Sequence, residues 1–377
     1  MDIVMSAQGN SFFDFFKEIP DHRIERRKLH SVSEILLLTF CGVVSGCDSW
    51  EDIEDFGKIK LEYLRGYFPY EHGVPSDDTL RRFFRALEPE VFEACFIKWV
   101  KSFQLDLEKK VIAVDGKTSR RSFDGEGRPM HLVSAFASEL GIVLGQLKTE
   151  EKSNEITAIP ELLDLIDIEK AVITIDAMGC QSKIVEKIVA KEADYLIGLK
   201  GNQGTLNDDV RLLFEAKPQG TIFQNDEEHD KGHGRLEIRR CTVTEDIDWL
   251  KEKHSQWKSF RSVVEIESIR EIKGNTTIER RYYISSLAAE PKTILNVVRQ
   301  HWGVENKLHW VLDITFGDDQ SRVRKGNAPR NMAIVKKTVL NLLNIIKKAS
   351  PRLSLKRMRK MAGWDNLFLE KVLSAKF

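Results

Sequence analysis

Val111-Ile112-Ala113-Val114-Asp115-Gly116-Lys117-Thr118 is the stretch from which the fold can be read. Four apolar, mostly β-branched residues run into an aspartate, a glycine and a lysine. That pattern predicts a buried strand ending in a carboxylate at the sheet's edge. Ala171-Val172-Ile173-Thr174-Ile175-Asp176-Ala177-Met178-Gly179 repeats it. Two buried strands ending in aspartate point to a metal site, because carboxylates held close repel unless a cation sits between them.

The strands lie in an alternating context. Around Asp115 come a hairpin of His131–Ala137 and Ile142–Leu147, a helix over 154–166, the strand before Asp176, a helix over 181–190, the strand Tyr195–Leu199 and a helix over 203–214. This order predicts an α/β fold, a mixed five-stranded sheet with flanking helices. From about 220 to 288 the alternation gives way to β-rich sequence, with strands expected at 235–244, 260–272 and 276–286 and a hairpin turn at 273–276. A helix is expected to run unbroken from Pro291 to about Ile314. Upstream, residues 1–105 read as helical, with a helix start at Pro75–Leu80 capped by Ser76 or Asp77. Arg81, Arg82 and Arg85 on that helix are equally well read as phosphate contacts or as a solvated face.

Composition bounds the function. The 377 residues are 42% hydrophobic and 31% charged, with 58 basic and 58 acidic side chains. That describes a soluble globular protein of two or three domains, with no net charge to attract a partner. The balance hides an asymmetry: from Ser321 to Phe377 there are fifteen Lys or Arg against two acids. A basic helical end of this kind is a polyanion-binding candidate. The cysteines at 41, 47, 95, 180 and 241 form no CxxC pair, which fits a reducing cytoplasm. No apolar run reaches the ~20 residues of a membrane span, and no leader pattern opens the chain, so a cytoplasmic protein with no membrane partner is expected.

The expected helix over 291–314 places Glu305, His309 and Asp313 at i, i+4 and i+8, on one face. A solvated amphipathic face would explain them. So would zinc held by His301, Glu305 and His309, although there is no HExxH order. The sharper reading is a third carboxylate for Asp115 and Asp176.

Val-Asp-Gly-Lys-Thr (114–118), His-Leu-Val-Ser-Ala-Phe-Ala (131–137), Glu-Lys-Ser-Asn-Glu-Ile (151–156), Ile-Asp-Ala-Met-Gly-Cys-Gln (175–181), Leu-Lys-Gly-Asn-Gln (199–203) and the run from His301 to Asp313 stand in this order. Together they resemble the H-repeat-associated (Rhs element) branch of insertion-sequence transposases with an Asp-Asp-Glu triad, over almost the whole chain. The resemblance implies an RNase H-like core over 106–320, split by the β-rich insertion before its last catalytic helix. It also implies a helical N-terminal domain over 1–105 and a basic helical region over 321–377. It carries the triad onto Asp115, Asp176 and Glu305 as catalytic and metal-binding residues, with Mg2+ (or Mn2+) as cofactor. The implied partner is DNA, both terminal inverted repeats and target, bound by a homodimer. One departure stands out: the Tyr, Arg and Lys that often surround the glutamate are replaced by Val298, His301 and Leu312.

Phosphodiester chemistry suits this set, since two metals can activate the attacking oxygen and stabilise the leaving one. Lys117, Lys200, Asn202, Arg299, His301, Lys307, Arg322, Arg324 and Lys325 are the expected DNA contacts, joined by the lysine pairs 336–337 and 347–348 and by residues 356–360. His309 and Asp313 are expected to orient the site from behind the ligands. Trp249 and Trp257 are candidates for stacking on an unpaired base, with core packing as the alternative. A stand-alone nuclease and a catalytically silent DNA-binding descendant remain open beside the transposase reading.

Overall fold

The computed structural model describes residues 12–21, 23, 28–123, 129–149, 155–232, 235–272 and 274–377. Parts of two sequence readings lie outside them: the motif at 151–156 and the turn at 273–276.

The first helices are α1 (Val32–Val44), α2 (Trp50–Ile59), α3 (Leu61–Arg65), α4 (Asp77–Ala86) and α5 (Pro89–Lys101). Local chemistry sets their starts. Ser31 and Ser49 open α1 and α2 with reciprocal capping boxes, and Ser76 caps α4 by accepting from Thr79 N. α2 and α3 are separate helices, divided at Lys60.

The strands are β1 (Val111–Phe123), β2 (Pro129–Ala137), β3 (Ile142–Thr149), β4 (Val172–Ile175), β5 (Asp194–Leu199), β6 (Gln224–Gly232), β7 (Arg235–Thr244), β8 (Ser262–Ile272) and β9 (Asn275–Ser285). They form one sheet in the order β3-β2-β1-β4-β5-β9-β8-β7-β6. β1, β4 and β5 are parallel, and every other pairing is antiparallel. The expected five-stranded sheet is therefore corrected to nine strands. The insertion does not stand apart; β9 pairs with β5 and carries the sheet outward. β6 was not foreseen. Its sequence, Gln-Asn-Asp-Glu-Glu-His-Asp-Lys-Gly, has no apolar alternation. It forms the outermost strand, where charged side chains guard the open edge against further pairing.

Helices α6 (Glu155–Leu165), α7 (Ser182–Ala190), α8 (Gly204–Ala216), α9 (Asp248–Lys253), α10 (Pro291–His301), α11 (Trp310–Thr315), α12 (Ala328–Ala349), α13 (Leu355–Trp364) and α14 (Asn366–Leu373) complete the chain. α10 packs on the sheet face formed by Val111, Val172, Leu196, Val243 and Val264. Alternate residues Ile112, Val114, Ile173 and Ile175 join the larger core on the opposite face, together with α6 and α7. This period of two is what a central strand covered on both faces requires. α12 is buried along most of its length against α1, α4, α5 and β3, so the middle of the basic C-terminal region is interior, while most of the Lys and Arg on either side of it are exposed. Among the described residues no helix is long and apolar enough to cross a membrane.

Candidate active site

The parallel register of β1 and β4 ends at Val114 opposite Ile175, so Asp115 and Asp176 stand at the same level; β4 ends there as expected, but β1 does not, running on to Phe123 in pairing with β2. The helical segment that covers β1 is not continuous. α10 ends at His301, a π-turn spans Val304–His309, and α11 follows. This corrects the unbroken helix expected over 291–314. Gly303 sits where a Cβ would come within 3.2 Å of Ser138 Oγ, which lets the segment approach the end of β2 closely.

Strand and helix then meet as two matched ladders. Asp115, Lys117 and Ser119 share one face of β1, spaced about 6.6 Å apart by two strand residues. Glu305, His309 and Asp313 are spaced about 6 Å apart by four helical residues. His309 Nδ1 lies 3.5 Å from Asp115 Oδ2 and 3.6 Å from Glu305 Oε2. One rung on, Lys117 Nζ donates to Asp313 Oδ1 at 2.6 Å and to Asp318 Oδ2 at 3.3 Å. At the next, Ser119 Oγ lies 3.4 Å from Asp318 Oδ2.

Asp115, Glu305 and His309 each offer a ligand atom, all within 4.8 Å of one another. Burial pushes the Asp115 carboxyl up to about 7, and the nearby Glu305 and Asp176 carboxylates push the same way. A cation would relieve that strain, so the donor set fits a divalent metal. Burial, with Lys337 and Lys117 nearby, drives His309 down to about 3 and keeps its ring neutral. Asp176 borders the same cavity of about 590 Å3 as Asp115 and Glu305. Its Oδ1 also accepts from Met178 N at 3.0 Å, which fixes the turn after β4.

Behind Asp115, on the reverse face of β1, lies a pair that sequence reading missed. His131 Nε2 and Glu155 Oε1 are 2.6 Å apart, and His131 Nδ1 meets Thr118 Oγ1 at 2.7 Å. Both members are almost fully buried. A Cβ on Gly116 would collide with each of them, so the glycine is there for this pair. Both residues stand in the motifs at 131–137 and 151–156, yet nothing in the sequence paired them beyond the glycine directly after the aspartate.

The expected DNA contacts fall into three groups. Lys200 is exposed and borders the cavity, and exposed Lys307 donates to Ser138 O at 3.2 Å. Arg322, Arg324 and Lys325 are exposed in the segment before α12, where Arg324 Nε donates to Arg121 O at 2.8 Å. On the C-terminal tail Lys348, Lys356, Arg357 and Lys360 are exposed as well, whereas the members of the third group are already engaged within the protein. Lys117 faces three aspartates, and Arg299 pairs with Glu228 and Asp230 on β6 at 3.3 and 3.4 Å. Asn202 Nδ2 donates to Ala177 O at 2.7 Å, bracing the loop after Asp176. His301 is corrected as a charged contact: burial lowers it to about 4, and its Nδ1 meets Thr174 Oγ1 at 3.0 Å. Val298 and Leu312 are buried apolar residues. Lys336 and Lys337 are corrected as well, being 5% and 3% exposed and bonded to Asp318, Ser134 and Gln146. Trp257 belongs to the core, whereas Trp249 is exposed. Trp302 lies between two cavities with the Arg281 guanidinium 4.8 Å from its ring, and was not foreseen.

Comparison with known proteins identifies the framework. The Transposase DDE domain family matches residues 106–342, and the DDE_Tnp_1-associated family matches residues 13–100. "Putative transposase YncI" of Escherichia coli O157:H7 is 42% identical over 98% of this chain and 96% of its own length. "H repeat-associated putative transposase YhhI" of Escherichia coli K12 is 41% identical over 94% of this chain and 96% of its own. Among solved structures, a piggyBac transposase synaptic complex with hairpin DNA aligns with a TM-score of 0.43 at 11% identity, over 92% of this chain and 74% of that one. The chain belongs to the DDE transposase family, among the H repeat-associated transposases.

Proposed function

We propose that the protein cuts DNA at the ends of a mobile element and joins the freed 3′-hydroxyl to target DNA, using Asp115, Asp176 and Glu305 on divalent metal. The observation that carries this is the convergence of the three carboxylates on one cavity. We read the order β3-β2-β1-β4-β5 as the RNase H-like core that the sequence resemblance implies, with β6–β9 as the insertion. The division at about 105 and 320 is part of the same reading.

Asp115, with Asp176 on one side and Glu305 and His309 on the other, would hold the metal together with them. When bound, divalent metal activates the attacking oxygen and stabilises the leaving one. The chain's own work is positional. Thr118, His131 and Glu155 brace β1 from behind. Lys117, fixed by its aspartates, holds the ladder in register, and the cavity receives the scissile phosphate beside Lys200. Arg322, Arg324 and Lys325, with the neighbouring Arg85 and Arg121, offer a cationic surface for flanking phosphates. Handling two ends together calls for a homodimer on DNA, working in the bacterial cytoplasm at the nucleoid.

The test is cleavage of a labelled duplex bearing the element's inverted repeat, with Mg2+, Mn2+ or EDTA. We expect metal-dependent nicking at the repeat boundary, reduced at least ~100-fold in Asp115→Asn, Asp176→Asn and Glu305→Gln. Equal cutting by the variants sinks the triad. Salt-sensitive binding without turnover in either metal would show a silent DNA-binding descendant, and cutting without end specificity or strand transfer a nuclease.

A further inference from the structure

We propose that His309 Nδ1 is a direct ligand of the ion held by Asp115 and Glu305, so that this position prefers Mn2+ or a later first-row ion to Mg2+. The inference rests on the metal-dependent reading above and adds a nitrogen donor to it.

The geometry comes first. His309 Nδ1 stands 3.5 Å from Asp115 Oδ2 and 3.6 Å from Glu305 Oε2, too long for strong hydrogen bonds. Two ligand atoms that each lie about 2.0–2.2 Å from one ion sit about 2.9–3.6 Å apart. The observed spacings suit a shared ion better than a direct contact. A neutral imidazole carries a proton on one ring nitrogen and a lone pair on the other, and only the lone-pair nitrogen can bind a cation.

The far side of the ring chooses which nitrogen. His309 Nε2 is buried and has no hydrogen-bond partner among the described residues. The ring borders a cavity of about 10 Å3 that is also lined by Ser134, Asp318 and Lys337. That is roughly the room of one water, with polar groups to hold it. A proton on Nε2 is satisfied there, and the lone pair then falls on Nδ1, toward the carboxylates. The π-turn Val304–His309 begins just before Glu305 and ends at His309, so it sets both donors. Such turns are concentrated at functional sites. An imidazole among carboxylates tilts selectivity along the first-row series, away from the all-oxygen set that Mg2+ favours.

The experiment uses the full chain with one equivalent of Mn2+ and pulsed electron paramagnetic resonance. We expect a directly bound nitrogen coupling in wild type, lost in His309→Gln and His309→Asn and retained in His301→Asn. Mn2+ affinity should fall about tenfold in both His309 variants, with Mg2+ affinity little changed. Bound Mn2+ that shows no nitrogen coupling in wild type overturns the proposal while leaving the carboxylate site intact. A coupling that survives His309→Gln also overturns it. If wild type binds no more Mn2+ than Asp115→Asn, the proposal falls together with the metal-dependent reading.

Discussion

Asp115 is a carboxyl held where charge is unwelcome, between burial, Glu305 and Asp176. Its folded value near 7 lies above the ordinary 3.8, so the folded state binds more protons than the unfolded one between those pH values. The protonated carboxyl therefore contributes stability that is complete below pH 3.8 and lost as pH rises through 7. Metal-free Asp115→Asn should melt several degrees above wild type at pH 8, with the gap shrinking toward pH 5. Saturating Mn2+ should raise the wild-type midpoint only. A gap independent of pH in calorimetry would show that the strain is not at this carboxyl. One residue on, Gly116 leaves the space that His131 and Glu155 fill. Gly116→Ala forces a buried strand and a buried hydrogen-bonded pair apart, at a cost of about 1–3 kcal/mol. Denaturant titration of Gly116→Ala, Glu155→Ala and the double variant should give a coupling that recovers much of that cost. Additivity would place the crowding elsewhere.

Periodicity carried much of the element-level reading and also marks where it stopped. The i, i+4, i+8 face of Glu305, His309 and Asp313 was legible, but its partner was not. That partner is the alternate face of β1, and no single-segment period reveals that a 6 Å ladder will meet a 6.6 Å one. The π-turn was hidden because Gly303 is read as a tolerated helical glycine until Ser138 is seen against it. β6 lacked any apolar signal, being made of polar and charged residues up to Gly232. The lysine pair on α12 misled for a different reason: sequence counts charges without seeing what surrounds them. Burial lowers Lys337 to about 7, while its Nζ donates to Ser134 Oγ and Gln146 Oε1 at 2.7 Å each. Between pH 7 and the ordinary value of 10.5 the unfolded chain binds the extra proton, so this lysine's contribution to stability grows as pH rises. Wild type should thus gain on Lys337→Met across that window, by at most about 1.4 kcal/mol per pH unit. A difference that stays flat from pH 6 to 9.5 would mean the lysine is charged in the fold.

At the scale of the molecule, α12 ties the helical N-terminal region to the sheet. Asn331 Nδ2 donates to Phe84 O at 2.9 Å and Leu87 O at 2.8 Å, between α4 and α5. Ten residues on, Asn341 accepts from Val143 N at 2.8 Å and donates to Val143 O at 2.9 Å, closing the β3 edge of the sheet. Arg330 pairs with buried Glu93 of α5, and Arg359 of α13 donates to Val43 O at the end of α1. One hydrophobic cluster runs from Phe12 through α1, the sheet and α12 to Leu373. The proposed boundary at 320 marks where the charge changes, and the hydrophobic core runs across it. Removing 321–377 should therefore not release an intact catalytic core from a DNA-binding tail. It would bare the faces of α1, α5 and β3 that α12 covers, and strand buried Glu93 without Arg330. We expect the truncated chain to be aggregated or molten, with lost near-ultraviolet circular dichroism. Full-length protein should unfold in one calorimetric transition with agreeing van't Hoff and calorimetric enthalpies. A monomeric 1–320 fragment with native-like melting would show that α12 is an accessory after all, and that the helical and catalytic regions hold together without it.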